Sequence, residues 1–497
     1  MKETEVILVE MPNINLEDDN GKNWGPNVPD APNASKLELA TSLSEHNRVR
    51  ILNPKRTEIF EKDGSSAIPT LRRLPIVREQ YGEAVWDGRH LTKVRWGNRD
   101  FSDVLEEAAI TAASSDGVVG LTANFLKERN VLCEAIQIIN RVSNGRAKVV
   151  IGGRDAMAEP QPYIEAGVDA VVKNVDGSTN QAIIEYVTGQ KVSRPLTNKD
   201  VIINSQKISH PLQEAGVNLP STNKLLLPPE EFILQTMGSE HWENHLAPNL
   251  NRIGAMKKIW RTEEEIARKS ICEQTCDFCT VPLLGRPDLG KLRFDVETTL
   301  DYVQALMKAG VRTISFIDDQ FLIDILYPGG MEKLIYFCDT LRSWGLAWVF
   351  GNGLQISKFC ENLGITQDQA DRDPYYKSRV VDLTKAGTPP ILGSYKLNER
   401  LVKSVLGWEP ERIGCDGTPG VGCTALYNPL EDLIGGEKAR GMRKLLPLDH
   451  VLNIIPEIYQ VSGMEKGTAG LMVGRAGETA QHMQANFIAA LELKTSM

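Results

Sequence analysis

The sequence predicts an α/β protein with two successive regions, each of which alternates short apolar strands with amphipathic helices. The chain has 497 residues, a length typical of roughly three domains at about 150 residues each. In both regions, helices of about 10–15 residues separate the strands, and this spacing favours parallel sheets. We therefore expect an N-terminal doubly wound sheet followed by a partial (β/α) barrel.

The first region, residues 1–190, contains five apolar runs that have the length of buried strands. Such continuous runs are typical of parallel strands covered on both faces. Residues 54–100 show no helical or strand period and are expected to be irregular. Strands are expected at Val6–Glu10, Arg48–Leu52, Gly117–Thr122, Lys148–Gly153 and, as the last, Val168–Val172. Helices are expected at Ser35–His46, Asp103–Ser114 and Val131–Val142.

The second region, residues 266–497, follows a connector at residues 191–265 that is rich in Pro, Asn and Ser. A Gly/Pro-rich stretch near residues 408–436 is interpreted as an inserted loop. No sixth barrel strand is evident after a helix that ends near Leu493, so the barrel is either shortened or completed by residues 400–470. Helices are expected near Pro228–Met237 and at Asp295–Ala309, Met331–Trp344 and Tyr375–Ala386; strands are expected at Val311–Ile317, Leu346–Phe350, Pro390–Gly393 and Leu471–Val473.

The composition excludes several classes of function. Acidic residues outnumber basic ones, 65 to 56, and the net charge is −9. Because no block of Lys and Arg is present, a nucleic-acid partner is not expected. No apolar run reaches the ~18 residues that span a bilayer, and the acidic N-terminus does not resemble a secretory signal. We expect a cytoplasmic protein without a membrane partner, in which the eight cysteines are not a disulfide framework.

Thr122 and the pair Gly152–Gly153 lie at the carboxyl ends of two predicted strands. In doubly wound sheets, ligands bind beyond these ends of the strands. Paired glycines also allow a backbone to approach a bulky ligand closely. The sequence therefore predicts a ligand site here, although the glycines alone are also explained by ordinary tight turns.

Cys272, Cys276 and Cys279 form a C-x3-C-x2-C motif. Thiolates are the soft ligands of iron–sulfur clusters, and three on one loop can hold three irons of a [4Fe–4S] cube. A zinc site would need a fourth Cys or His nearby, and no histidine lies close in the sequence. The motif predicts a cluster with one open iron; the alternative is three incidental buried cysteines.

This motif, placed after the first strand of the barrel region, resembles that of the radical S-adenosylmethionine (SAM) enzymes. Three later segments resemble strand ends of the same superfamily: Ile317–Phe321, Gly351–Leu354 and Gly474–Thr479. The resemblance implies a [4Fe–4S] cluster on the three cysteines, whose open iron binds SAM. It also implies a SAM site that includes Asp318, Asp319, Gly351 and Asn352.

The first region resembles the cobalamin-binding domain that precedes the barrel in one branch of this superfamily. The resemblance implies that Thr122, Gly152 and Gly153 bind cobalamin. The chain lacks the Asp-x-His-x-x-Gly motif that supplies a histidine ligand to cobalt in other cobalamin proteins. Because this branch usually lacks that histidine, cobalt is expected without a histidine below it. The matching segments are Asp116–Thr122, Val149–Gly153 and Val168–Val172.

The resemblance implies a C-methyltransferase similar to the class B radical SAM methylases. In such enzymes, cobalamin takes a methyl group from one SAM molecule. The cluster cleaves a second SAM to a 5′-deoxyadenosyl radical, which removes hydrogen from an unactivated carbon. The implied partners are a reductant of flavodoxin or ferredoxin type and a substrate that is either a peptide or protein side chain or a small molecule. One similar family methylates a glutamine of methyl-coenzyme M reductase, and this substrate is our specific hypothesis.

Three alternatives remain open. The same pair of domains occurs in a cyclase and in a ring-contracting enzyme, in which cobalamin does not donate a methyl group. Glu273 follows the first cluster cysteine; if it binds the open iron, it favours a non-radical methyl transfer similar to that of a tryptophan C2-methylase, and otherwise it faces solvent. A cobalamin- or metal-binding sensor without catalysis is the non-enzymatic alternative.

Overall fold

The structure, a computed structural model, describes only part of the chain. The described residues fall in the following ranges. They are 3–22, 34–55, 58–61, 70–86, 88–124, 126–173, 177–198, 200–209, 212, 227–236, 245–246, 296–316, 321–322, 329–350, 354, 356–362, 396–407, 448–463, 467–468 and 495–496.

The chain divides into two compact units. The described part of the first unit runs to Leu246 and includes Tyr302–Val311. The second unit contains the described residues before Tyr302 in the same helix and those from Arg312 onwards. The division into a domain at residues 1–190, a connector and a domain at residues 266–497 stays a prediction.

The first unit contains all the strands predicted for it and several others. Its elements are β1 (Thr4–Val9), β2 (Asn13–Glu17), α1 (Ala34–Leu43), β3 (Asn47–Leu52), β4 (Glu58–Glu61), β5 (Thr70–Arg73), β6 (Val77–Trp86), β7 (Arg89–Gly97), α2 (Phe101–Ser114), β8 (Val118–Thr122), a 3-10 helix (Leu126–Glu128), α3 (Arg129–Ser143), β9 (Lys148–Gly152), α4 (Arg154–Ala158), α5 (Gln161–Glu165), β10 (Ala170–Val172), α6 (Gly177–Val187), β11 (Val201–Ile203), α7 (Glu230–Thr236) and β12 (His245–Leu246).

Six of these strands form one sheet in the order β3-β1-β8-β9-β10-β11. The first five strands are parallel, and β11 is antiparallel to β10. The register is continuous across β1, since Val6 lies opposite Val49 on one side and Val118 on the other. The predicted parallel sheet is therefore confirmed.

Helices cover both faces of this sheet. Ile7 and Val9 of β1 pack in a core cluster with residues of α2 and α3, while α1 contacts α6 and β3. Because successive side chains of a strand point to opposite faces, Val6 and Leu8, which are also buried, face the other way. Burial on both faces produces the continuous apolar runs from which these strands were predicted.

Most of the described residues in 54–100 form strands, so the prediction of an irregular segment was wrong. β4 and β5 form an antiparallel pair, and β6 and β7 form a long hairpin that β2 joins along β7. The strands were missed because polar residues occupy both faces: Arg78 and Gln80 are exposed on one face of β6, and Glu79 pairs with Arg95 on the other. The dipeptide Asp87-Gly88 between β6 and β7 is the strongest short hairpin signal, and Gly88 has the positive φ of 69° that such a turn requires.

β11 lies in the predicted connector, so Val168–Val172 does not contain the last strand of the sheet. Asp169, which is 0% exposed, accepts hydrogen bonds from Val149 N and from Lys207 Nζ, each at 2.9 Å. Asn204 Nδ2 donates to Val168 O at 2.9 Å. These contacts fasten the segment after β11 to the amino-terminal edge of the sheet. A three-residue antiparallel strand gives no periodic signal, so the sequence did not reveal it.

The later elements confirm one β/α repeat of the predicted barrel region. Strands at Thr313–Phe316 and Ala347–Phe350 are parallel neighbours, and the helix Gly330–Ser343 lies between them in sequence. The helices Glu399–Leu406 and Leu448–Ser462 were not predicted. In chain order these elements are α8 (Val296–Lys308), β13 (Thr313–Phe316), α9 (Gly330–Ser343), β14 (Ala347–Phe350), a 3-10 helix (Ile356–Phe359), β15 (Cys360–Asn362), β16 (Lys396–Leu397), α10 (Glu399–Leu406), α11 (Leu448–Ser462), β17 (Gly467–Thr468) and β18 (Thr495–Ser496).

Side chains from α9 and β14 bind the last turn of α10. Arg342 donates to the carbonyls of Lys403 and Ser404 at 2.8 and 2.9 Å, and Trp348 Nε1 donates to Val405 O at 3.0 Å. These bonds satisfy carbonyls that a helix end otherwise leaves unpaired. Trp348 is therefore a packing residue, as expected for a buried tryptophan with a partner for its N–H.

Several predictions fall outside the described residues. They are the helix Tyr375–Ala386, the strands Pro390–Gly393 and Leu471–Val473, the insert at residues 408–436 and the helix that ends near Leu493. Within the part of the chain that the structure describes, we find no helix with the length and apolar composition needed to cross a membrane.

We predict that Asp169→Ala lowers the free energy of unfolding by about 3 kcal/mol. The substitution leaves Val149 N without its buried acceptor and removes the ion-pair partner of Lys207 and of Lys148, whose ammonium lies 3.6 Å from Asp169 Oδ1. Chemical denaturation monitored by circular dichroism measures this change. Glu106→Ala is the control, since Glu106 is exposed on α2 and its removal should change stability by about 0.5 kcal/mol or less. Equal stability of the two variants would contradict the role given to Asp169.

Candidate functional site

The strand order creates a switch point at the carboxyl edge of the six-stranded sheet. The sheet grows from β1 towards β3 on one side and towards β8 on the other. The loops that follow β1 and β8 therefore leave towards opposite faces, which is the topology of a switch point. In open α/β sheets, the crevice at such a switch point is where ligands bind.

Thr122 lies at the carboxyl end of β8, beside this switch point. Its side chain is half-buried, and no described residue forms a hydrogen bond with its hydroxyl. Within the described part of the chain, this hydroxyl is therefore a candidate ligand-binding group at the carboxyl edge of the sheet. The structure thus places Thr122 where the sequence predicted it.

Gly152 is the last residue of β9, and Gly153 follows it. The two positions differ in whether a larger residue fits there. A Cβ built on Gly153 would lie 2.3 Å from Ala123 O, and the residue has φ of 102°. A Cβ on Gly152 would meet only Val172 Cβ, at 3.6 Å. The close approach predicted for the glycine pair is therefore made by Gly153, and its partner there is the loop after β8. At Gly152 a methyl group would make an ordinary van der Waals contact.

Backbone hydrogen bonds join these two loops. Ala123 N donates to Gly152 O at 2.8 Å, and Asp155 N donates to Ala123 O at 3.0 Å. The ends of β8 and β9 are thus one rigid surface, and a ligand at the switch point would meet it as a preformed wall.

An ionic network that the sequence did not reveal supports the same surface. Arg129, the first residue of α3, binds both carboxylate oxygens of Asp155, at 2.8 and 3.0 Å. Tyr163 donates its hydroxyl to Asp155 at 2.6 Å, and Glu159 binds Arg129 at 2.6 Å. Paired side chains from distant segments give no local pattern, so only a structure could identify the network.

Asp155 and Tyr163 each keep one protonation state over the physiological pH range. The hydrogen bond from Arg129, joined by that from Tyr163, lowers the pKa of Asp155 despite its partial burial. Burial and the hydrogen bond to Asp155 raise the pKa of Tyr163. The carboxylate stays ionised and the phenol stays neutral, so the network holds the loops in place rather than exchanging protons.

A second pair missed by the sequence analysis lies at the carboxyl end of β1. Lys36, in the first turn of α1, is 2% exposed. Its ammonium donates to Val9 O at 2.6 Å and lies 3.0 Å from Glu10 Oε2. A lysine near the start of a helix interacts unfavourably with the helix dipole. This mismatch is the sequence signal that could have identified Lys36 as an unusual residue.

The predicted cluster and SAM residues lie outside the described residues. They are Cys272, Cys276, Cys279, Asp318, Asp319, Gly351 and Asn352, together with Glu273. Within the described ranges, no group of three or more Cys, His, Asp or Glu side chains is arranged to hold a metal ion.

The strands that precede the predicted SAM residues are nevertheless described. β13 and β14 end side by side, with Phe316 opposite Phe350. Asp318 and Asp319 follow the first of these strand ends in sequence, and Gly351 and Asn352 follow the second. The four residues therefore come after the carboxyl ends of two neighbouring parallel strands.

Comparison with known proteins gives matches among solved structures alone. No family model matches the chain, and no curated protein matches it. Three similar structures are of the cobalamin-dependent SAM radical enzyme OxsB: one with aqua-cobalamin bound, one with aqua-cobalamin and SAM bound, and one apo form. Their sequence identities to this chain are 11%, 12% and 11%, and their TM-scores are 0.50, 0.51 and 0.51.

This likeness covers 98% of the chain. It confirms the predicted α/β fold class, a doubly wound domain followed by a partial barrel. The chain spans about half the length of OxsB, since the match covers 52% of that protein. At these identities the likeness establishes the fold, and the cofactors and the reaction are considered below.

We predict that Gly153→Ala destabilises the first unit by about 3 kcal/mol, because the added methyl group meets the Ala123 backbone at a positive φ. Gly152→Ala is the matched control one residue away, and it should cost about 1 kcal/mol or less, since its methyl group makes an ordinary contact. Thermal and chemical unfolding of both variants measure the difference. If Gly153→Ala is as stable as Gly152→Ala, the packing described here is incorrect.

Proposed function

We propose that the chain is a cobalamin-dependent radical SAM enzyme that transfers a methyl group from SAM, by way of cobalamin, to an unactivated carbon. The observation that carries the proposal is the switch point in the strand order of the first sheet, in a chain that also contains the C-x3-C-x2-C motif. The fold likeness to OxsB supports the same combination of cofactors.

The residues at the carboxyl edge of the first sheet fit a corrinoid. A corrin ring is bulky and carries neutral amide groups at its rim, so its site needs open space, rigid walls and polar groups without net charge. Gly152 has no side chain that would obstruct a bulky ligand, the hydrogen-bonded loops after β8 and β9 supply a wall, and Thr122 offers a hydroxyl. We therefore assign cobalamin binding to Thr122, Gly152 and the loop fixed by Gly153.

Histidine ligation of cobalt is not part of this proposal. His46, between α1 and β3, is exposed at the amino-terminal edge of the sheet, and His90 is exposed on β7. Neither lies at the carboxyl ends of β8 and β9. Cobalt without a histidine below it stays an expectation that rests on the missing Asp-x-His-x-x-Gly motif.

The second set of cofactors is assigned to the barrel region. Cys272, Cys276 and Cys279 would hold the [4Fe–4S] cluster, and the residues that follow β13 and β14 would bind SAM. When bound, the cluster supplies the electron that cleaves SAM, and cobalamin carries the methyl group. The protein residues bind and orient these groups and exclude water from the reacting carbon. A flavodoxin- or ferredoxin-type reductant would complete the system.

We propose a peptide or protein side chain as the substrate, with the glutamine of methyl-coenzyme M reductase as the specific hypothesis from sequence resemblance; a small-molecule substrate is the alternative. The second candidate function is a reaction of the same cofactors without methyl transfer, such as cyclisation or ring contraction. OxsB is a cobalamin-dependent SAM radical enzyme, and this likeness is compatible with both candidate functions.

We predict that anaerobic reconstitution with iron and sulfide loads about four irons per chain. Replacing Cys272, Cys276 and Cys279 together by Ala should reduce bound iron to near zero and abolish the absorption of the cluster. Cys133→Ala is the control, because Cys133 lies on α3 with its thiol near Pro162 O and should leave iron binding unchanged. Iron bound equally by the triple variant and the unaltered chain would exclude the proposed cluster.

We predict that the reconstituted holoenzyme, given a reductant, SAM and candidate peptides, converts SAM to 5′-deoxyadenosine. With methyl-labelled SAM, a substrate should gain one labelled methyl group, detected by mass spectrometry. 5′-Deoxyadenosine together with an altered but unlabelled product would support the non-methylating alternative. A labelled product without 5′-deoxyadenosine would support the non-radical transfer, and neither product would support the sensor.

A further inference from the structure

Lys36 is buried at a position where elementary electrostatics disfavours a cation. Its side chain is 2% exposed, and burial lowers the pKa of its ammonium, an effect that Glu10 opposes. It also lies in the first turn of α1 (Ala34–Leu43), where the helix dipole favours negative charge. Departures from local preference of this kind concentrate at functional sites.

The contacts of Lys36 hold the point where the chain leaves β1. Its ammonium binds Val9 O at 2.6 Å and Glu10 Oε2 at 3.0 Å. Glu10 N in turn donates to Leu52 O, at the end of β3, at 2.8 Å. Lys36 therefore joins the ends of two neighbouring strands to the start of α1.

Besides Glu10, the charges of Lys55 and Glu128 act on this ammonium, the first lowering its pKa and the second raising it. Lys55 follows β3, and Glu128 follows β8, where it accepts a hydrogen bond from Asn124 N at 3.0 Å. The direct contacts of the ammonium, with Val9 O and Glu10, both lie where the chain leaves β1.

We propose that Lys36 is a positioning residue that fixes the loop after β1 in the shape that the corrinoid crevice requires. This inference rests on the proposed function, since it takes cobalamin as the ligand of that crevice. Lys36 acts through Val9 and Glu10 and does not itself touch the ligand.

The same sheet provides a matched control at its opposite edge. Lys207 forms an ion pair with the buried Asp169, at 2.9 Å, at the amino-terminal ends of the strands. Lys36→Met and Lys207→Met each remove the lysine of an ion pair with a buried carboxylate, although Lys207 is itself partly exposed. Both variants should lower the stability of the first unit. Only Lys36→Met alters the ligand edge.

The test is an absorbance titration of each full-length variant with hydroxocobalamin, under conditions in which circular dichroism shows that it is folded. We expect Lys36→Met to weaken binding by about tenfold or more, which corresponds to about 1.4 kcal/mol, and to change the absorption spectrum of the bound corrinoid. Lys207→Met should keep the affinity and the spectrum of the unaltered chain. If Lys36→Met does not fold, Glu10→Gln, which keeps the size of the side chain, should show the same weakening.

Normal affinity in the folded Lys36→Met variant, or in Glu10→Gln where Lys36→Met does not fold, would overturn the role of Lys36 and leave the proposed function intact. An equal loss of affinity in Lys207→Met would also overturn it, because the effect would then follow stability. If the unaltered chain binds no cobalamin, the proposed function itself fails, and the assignment of Lys36 fails with it.

Discussion

Burial of the first sheet on both faces is the constraint on which the rest of this unit depends. Helices cover the two faces of the parallel strands, so polar groups of the sheet can meet a ligand only at its edges. The two edges are used differently. At the amino-terminal edge, the polar groups of Asp169 and Lys207 are paired with each other. At the carboxyl edge, the strand order places a switch point between β1 and β8, and Thr122 and Gly152 end the neighbouring strands β8 and β9.

The carboxyl edge is rigid before any ligand arrives. The Ala123 backbone packs against Gly153, Arg129 ties α3 to Asp155, and Lys36 ties α1 to the end of β1. Each contact joins segments that are far apart in sequence, and together they fix the loops around the crevice. A preformed site reduces the conformational entropy that binding must remove. This suits a cofactor that has to be held in one orientation while chemistry occurs beside it.

The sequence predicted those parts of the fold whose residues carry a local signal. The parallel strands β1, β8 and β9 were predicted because burial on both faces requires continuous apolar runs, and the position of Thr122, Gly152 and Gly153 followed from them. The antiparallel strands of residues 58–97 were missed because exposed charges interrupt their pattern, and only Asp87-Gly88 marked the hairpin. The pairs Lys36–Glu10 and Arg129–Asp155 are formed by tertiary folding, so no local pattern could reveal them. The cysteine motif indicates its chemistry by spacing alone, because three thiolates on one short loop can reach the irons of one cluster.

Hydrogen–deuterium exchange of the full chain, with and without cobalamin, tests most directly whether the crevice at the switch point is the corrinoid site. The account predicts slower exchange on addition of cobalamin in the segments that follow β1, β8 and β9. It predicts no change around residues 204–208, at the other edge of the same sheet. Unchanged exchange at the carboxyl edge in a chain that binds cobalamin, or protection confined to other segments, would contradict it.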